Sequence, residues 1–150
     1  RSGRWSATGA SSCSDCDAGK KSEAGASSCE SCAGGLYSVG GTQNCTSCVP
    51  GTYSGTGAEA CTDCDAGKHS STGASSCDAC TGGSYSDAGA RNCSTCLGGT
   101  YASAGSESCS ACGSGTYSED GNSACTKCDS GKWSNMSESA CTACASGKWS

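Results

Sequence analysis

The residues in this chain with chemistry to offer are its cysteines. There are eighteen in 150 residues, set in nine Cys-x-x-Cys pairs that begin at Cys13, Cys29, Cys45, Cys61, Cys77, Cys93, Cys109, Cys125 and Cys141. Three kinds of chemistry are open to such pairs. Thiolates at this spacing bind zinc, a single activated pair exchanges with other disulfides, and oxidised cysteines cross-link the chain. One pair followed by another after twelve residues is near zinc-ribbon spacing. Nine equivalent pairs, however, cannot be grouped into four-ligand sites without breaking the sixteen-residue symmetry, whereas a disulfide ladder preserves it. A thioredoxin-type redox site needs one distinctive pair on a βαβ scaffold, and no pair stands apart.

Other reactive side chains are sparse. His69 is the only histidine, and no Ser-His-acid or Cys-His set repeats, so no enzyme, catalytic residue, cofactor or metal is expected. Asp15, Asp17 and Lys20, echoed by Asp63, Asp65 and Lys68, read as solvated surface charge that pairs weakly, since the oxygen-rich spacing of a calcium loop is missing. Asn44-Cys45-Thr46, Asn92-Cys93-Ser94 and Asn135-Met136-Ser137 fit the N-glycosylation sequon. In the first two a cysteine stands between acceptor and hydroxyl, and early bridging there limits modification, which favours Asn135. A serine follows the aromatic position in almost every repeat, Ala102 being the exception, and it has two readings: an acceptor of O-linked sugar, or a hydroxyl bonded within its own turn.

Composition sets what must position these groups. Phe and Ile are absent and Leu, Val and Met are scarce, so a large hydrophobic core is excluded and cross-links have to offset the entropy of ordering. That cysteine density belongs to oxidising compartments, which predicts a secreted or cell-surface protein. The net charge of −5, with signs interspersed, offers no basic stripe for nucleic acid. No stretch approaches the roughly 18 to 20 apolar residues of a membrane span, and the N-terminus lacks an apolar signal-peptide core.

Written from its first cysteine, the repeat is Cys-x-x-Cys-x-x-Gly-x-aromatic-Ser-x-x-Gly-x-x-x, as in Cys45 to Ala60, with no insertion or deletion. A strict period is the signature of stacked identical units held by the same contacts to their neighbours. The first glycine recurs from Gly3 through Gly19 and Gly35 to Gly147. The second runs from Gly25 to Gly121 and is replaced by Ser137, where the turn is expected to be less stringent or locally different. Every Tyr and Trp falls in the aromatic position: Trp5, Tyr37, Tyr53, Tyr85, Tyr101, Tyr117, Trp133 and Trp149, with Lys21 and His69 as exceptions. Each ring is expected to cover a disulfide and a neighbouring glycine as a miniature core, Lys21 substituting with its alkyl stem. The Gly-x-Tyr-Ser-x-x-Gly run reads as a short strand and turn, giving hairpin-like rungs without helix. A longer similarity of Cys13–Ser28 to Cys61–Ser76 makes a 48-residue superperiod, from duplication or from every third repeat facing equivalent surroundings. The opening Arg1–Ser6 resembles the closing 145–150, so residues 1–150 read as one continuous array, partial at both ends, cut from a longer chain.

Three pairings repeat with every unit. Bridges within each Cys-x-x-Cys leave successive units unlinked and rank last. The preferred ladder joins the second cysteine of one pair to the first of the next: Cys16 to Cys29, Cys32 to Cys45, Cys48 to Cys61, Cys64 to Cys77, Cys80 to Cys93, Cys96 to Cys109, Cys112 to Cys125 and Cys128 to Cys141. Each such loop stabilises by roughly 3 kcal/mol in the chain-entropy model. An overlapping ladder, Cys13 to Cys32 and Cys29 to Cys48, remains open. Either ladder leaves two cysteines for flanking units.

The pattern Cys-x-x-Cys-x-x-Gly-x-Tyr-Ser-x-x-Gly-x-x-x-Cys resembles the ephrin-receptor-like cysteine-rich repeat, a relative of tumour-necrosis-factor-receptor-like modules, across essentially the whole chain. The resemblance implies an elongated, disulfide-laddered rod in an extracellular protein, as in large surface proteins of algae, ciliates and other protists, where such repeats act as spacers or adhesive stalks. The uniform spacing departs from receptor versions and is closer to filament material. The expectation is a small disulfide-rich, all-β or irregular solenoid of hairpin-like repeats. Its role is structural, in a rod, filament or surface appendage that carries glycans and associates with itself or with neighbouring repeats. The alternative is the ligand-binding or adhesion stalk of a cell-surface receptor.

Overall fold

Tight turns and two strands of two residues each, such as Thr46–Ser47 and Thr52–Tyr53, make up each repeat. The first turn is most legible at Val49-Pro50-Gly51-Thr52. Proline presets the second position, Gly51 takes φ +87° at the third, and the Thr52 amide donates to the Val49 carbonyl at 3.1 Å. These are the marks of a type II turn. The threonine hydroxyl donates to the same carbonyl at 2.8 Å, a second lock also made by Ser84, Thr100 and Thr116. Where lysine follows the glycine instead, its ammonium reaches the first turn residue, as in Lys68 with Asp65 at 3.0 Å.

The computed structural model describes residues 1–145. Gly147 and Trp149, assigned above to the glycine and aromatic positions, lie outside them. Among the described residues there is no helix, and the regular structure is eighteen strands of two residues each. They pair as antiparallel hairpins. Leu36 lies opposite Ser47 and Tyr37 opposite Thr46, and the same register recurs in Thr52–Tyr53 with Thr62–Asp63 and in Ser84–Tyr85 with Ser94–Thr95. Hairpins this short do not hold themselves together in water, so their stability must come from neighbouring repeats and from cross-links.

The chain divides into two compact units. One comprises Arg1–Cys64 and Ser70–Asp78; the other comprises Asp65–His69 and Ala79–Ser150. Within each, the core is sulfur and hydroxyl. The second cysteine of the pair is buried at Cys16, Cys32 and Cys48 in the first unit, and at Cys80, Cys96 and Cys112 in the second. Beside it is buried the serine that follows the aromatic: Ser22, Ser38, Ser54 and Ser70, then Ser86, Ser118 and Ser134.

The aromatic rings do not form the miniature core expected of them. Tyr37, Tyr53, Tyr85, Tyr101 and Tyr117 are half-buried, and Trp133 is 44% exposed. The cause is strand alternation. Consecutive residues of an extended segment point to opposite faces, and in each repeat the serine takes the inner one, leaving the ring to lie along the outside.

Candidate functional site

The one arrangement built again and again is the junction between successive repeats. Its covalent part joins the second cysteine of each pair to the first of the next. The bonds are Cys16–Cys29, Cys32–Cys45, Cys48–Cys61, Cys64–Cys77, Cys80–Cys93, Cys96–Cys109, Cys112–Cys125 and Cys128–Cys141. Cα atoms across them lie 5.7 or 5.8 Å apart, within the ordinary range for an unforced bridge. The first seven bonds are half in and half out, as where Cys32 is buried and its partner Cys45 is partly exposed; in the eighth, Cys128 and Cys141 are both partly exposed. Cys13 and Cys144 are unbonded, the first exposed and the second half-buried. Eight equivalent cross-links of this kind belong with an oxidising environment. Among the described residues no three His, Cys, Asp or Glu side chains gather as a metal site would need.

Around each bridge runs a fixed set of backbone hydrogen bonds. The Cys32 amide donates to the Gly19 carbonyl at 2.8 Å, and the Gly35 amide donates to the Ser54 carbonyl of the next repeat at 2.7 Å. The Ser38 amide donates to Ala58 at 3.2 Å, beside a parallel bridge between Tyr37 and Ala58. The Gly57 amide reaches back to the Cys32 carbonyl of the preceding repeat at 2.8 Å. The second unit repeats the set, with Cys96 to Gly83 at 2.9 Å, Gly99 to Ser118 at 2.8 Å and Gly121 to Cys96 at 2.9 Å. The Leu36 amide donates to Ala33 within its own turn at 3.1 Å, while the amides of Gly35, Ser38 and Gly57 are claimed by neighbouring repeats, which is what burial of backbone requires.

The first glycine serves two demands at once. Gly19 holds φ +78° for its turn, and a Cβ there would collide with the carbonyl of Gly57, two repeats on. Gly83 stands in the same relation to Gly121. Fixed length follows from this contact, since one inserted residue would move both glycines out of register.

The buried serine is a residue whose role the sequence reading missed. Its hydroxyl is neither a sugar acceptor nor bonded within its own turn: Ser38 Oγ donates to the Lys20 carbonyl at 2.8 Å, eighteen residues earlier in the preceding repeat. Ser22, Ser54 and Ser70 do the same in the first unit, and Ser86, Ser118 and Ser134 in the second, at 2.9 to 3.1 Å. Ser118 Oγ also lies 3.4 Å from the Cys112 sulfur, so hydroxyl and disulfide fill one interior space. A buried, donating hydroxyl has no room for a glycan. The available signal was that this position admits only serine or a residue no larger, Ala102.

The two exceptions to the pattern keep its geometry. Ala102 is buried at 2% exposure and leaves the Ser84 carbonyl without the side-chain bond. Ser137 does not relax its turn. It keeps φ +62°, and its carbonyl meets Gly99 as a glycine's would, so the locally different turn expected there is in fact the same turn with a side chain in a left-handed conformation.

Charge lies mostly outside the junction, although the Gly98 amide donates to the Asp120 carboxylate of the next repeat at 2.6 Å. Arg4 forks onto Asp15, its cross-strand partner, at 2.5 and 3.2 Å; Lys21 meets Glu30 across the next hairpin at 3.2 Å; Lys20 reaches Asp17 at 3.5 Å. The hydrogen bond from Arg4, with its positive charge, holds the Asp15 carboxyl below the usual carboxylate range. Asn44, Asn92 and Asn135 are all exposed. Cys45, inside the first sequon, is bonded to Cys32, and Cys93, inside the second, to Cys80. No protein-family model matches the chain, and no curated protein matches it in sequence. Among the described residues no helix is long and apolar enough to cross a membrane.

Proposed function

We propose that this is a structural repeat protein of the cell exterior, whose work is to persist as an extended rod, filament or surface appendage. The observation that carries the reading is the repetition of one junction: the same disulfide, serine hydroxyl and glycine contact serve in repeat after repeat. Binding modules concentrate distinctive side chains at one place, whereas material proteins spread one bonding scheme along the chain. The reading assigns no catalytic residue and no cofactor. Self-association and sugar coating are part of the proposal. Asn44, Asn92 and Asn135 are exposed acceptors, and Asn135 is favoured because no bridged cysteine sits in its sequon. Kinship with ephrin-receptor-like and tumour-necrosis-factor-receptor-like repeats remains a proposal resting on the cysteine and glycine spacing.

Electron microscopy of native material tests this reading. Long uniform fibres of constant width support it, while short stalks ending in globular heads would favour a receptor or adhesion ectodomain. Glycopeptide mapping of the same material decides the sugar sites.

A further inference from the structure

The pairing of the cysteines divides the backbone into two classes that differ mechanically. Between Cys29 and Cys32 the chain is the sole covalent connection along the array. From Cys32 to Cys45 a second connection exists, the disulfide, and its Cα atoms are 5.8 Å apart across a sequence separation of 13. The intervening segment holds the turn glycine Gly35, the Leu36–Tyr37 strand and buried Ser38. The same division recurs at all eight bridges, each with a separation of 13.

Resting on the structural reading above, we propose a specific mechanical function: the protein is a tension-bearing, extension-limited tether. Its load path runs through disulfides and Cys-x-x-Cys segments, which include one strand of each hairpin such as Thr46–Ser47, while the glycine turn and the partner strand, Leu36–Tyr37, hang off that path. Pulling on the chain transmits force from Cys29 to Cys32 through backbone, then across the sulfurs to Cys45, then to Cys48 through backbone. Each repeat therefore extends by at most three backbone steps plus one bridge, about 16 Å, against about 56 Å for sixteen free residues. Between Cys16 and Cys141 the oxidised path is limited to about 120 Å, where the reduced chain would reach about 440 Å.

Unfolding under tension then gives little length, because breaking every hydrogen bond of a hairpin leaves its ends joined by the bridge. Between Cys32 and Cys45 the glycine turns, the Tyr37 ring and sequon Asn44 all lie on the shielded segment, so surface features carried there bear no tension. An ordinary solenoid held only by hydrogen bonds would release its full contour as each unit opened. The division of the backbone also explains why so weak a secondary structure suffices: the Thr46–Ser47 strand lies on covalent backbone that carries the load directly, and the hydrogen bonds to Leu36–Tyr37 are not asked to resist it.

Single-molecule force spectroscopy on the full chain, with handles at its two termini, tests this. Without reductant, no rupture step should lengthen the tether by more than a few ångström per repeat at forces below covalent failure. Adding dithiothreitol under constant force should then give discrete steps of about 40 Å, at most eight, one for each bridge reduced. The double variant Cys48→Ser with Cys61→Ser should lengthen the oxidised tether by about 40 Å whether or not that repeat still folds. Oxidised molecules that stretch toward about 440 Å, or reductive steps of only about 5 Å as bridges within each pair would give, overturn the load path. Either result can stand beside long native fibres in the microscope, and in that case the structural reading survives without this one.

Discussion

At the residue scale the junction depends on glycine and serine for reasons a single substitution can expose. Gly19 combines φ +78° with backbone contact to Gly57, so Gly19→Ala meets both a left-handed conformation and a collision. It should destabilise its surroundings by on the order of 2 to 4 kcal/mol. Ser137 has the same conformation with a side chain present, and Ser137→Gly should stabilise by about 1 kcal/mol. Hydrogen exchange of the amides around each position, with disulfides intact, measures both. Equal effects of opposite sign at Gly19 and Ser137 would show that conformation, not the collision, sets the larger cost. Ala102 gives a second test. Ala102→Ser should restore the bond to the Ser84 carbonyl and slow exchange nearby by an amount worth about 1 kcal/mol, and Ser54→Ala should cost about as much. No change in either variant would mean that the hydroxyl fills space without bonding. The glycine positions could be read in the sequence because nothing but glycine tolerates both demands. The serine's partner could not, since it lies eighteen residues away and depends on how repeats stack.

At the scale of the element, the hairpin was legible and its inner face was not. Fixed glycines on either side of a short run with one aromatic point to a strand between two turns, and the type II signature at Val49-Pro50-Gly51-Thr52 is local chemistry that a sequence carries in full. Choosing the largest apolar side chain as the core failed at Tyr37 and Ser38. These neighbours face opposite ways, and it is Ser38 that is buried while Tyr37 is left half-buried. Cross-strand charge adds a small increment on the outside, with a defined pH dependence. Asp15 is held below its ordinary value by Arg4, so the pair contributes above the unfolded carboxylate value of about 3.9, and the contribution is lost as pH falls through the lower native value. The stability difference between the native chain and Asp15→Asn, followed by denaturation from pH 7 to pH 2, should therefore shrink below pH about 4. It should shrink in 1 M salt as well, because both groups are exposed. A gap independent of both would assign Asp15 a packing role instead.

At the scale of the whole molecule, a chain almost without hydrophobic core is ordered by covalent loops, each removing chain entropy from the unfolded state by the equivalent of roughly 3 kcal/mol. The period of sixteen and the ladder were visible because regularity limits the ways identical units can be joined. The reach of each junction to the second-next repeat was not visible, because it depends on the three-dimensional step from one repeat to the next, which no single repeat encodes. The central claim is that adjacent repeats are bridged from the second cysteine of one pair to the first of the next. Peptide mapping of the unreduced native protein, after alkylation of free thiols and with an intact mass, tests it most directly. Cross-linked peptides joining Cys16 to Cys29, Cys32 to Cys45 and onward to Cys128 with Cys141, with none of these sixteen thiols alkylated, is the result expected. Bridges within the Cys-x-x-Cys pairs, a Cys13–Cys32 overlap, or thiols free to alkylate or bound to zinc would contradict it.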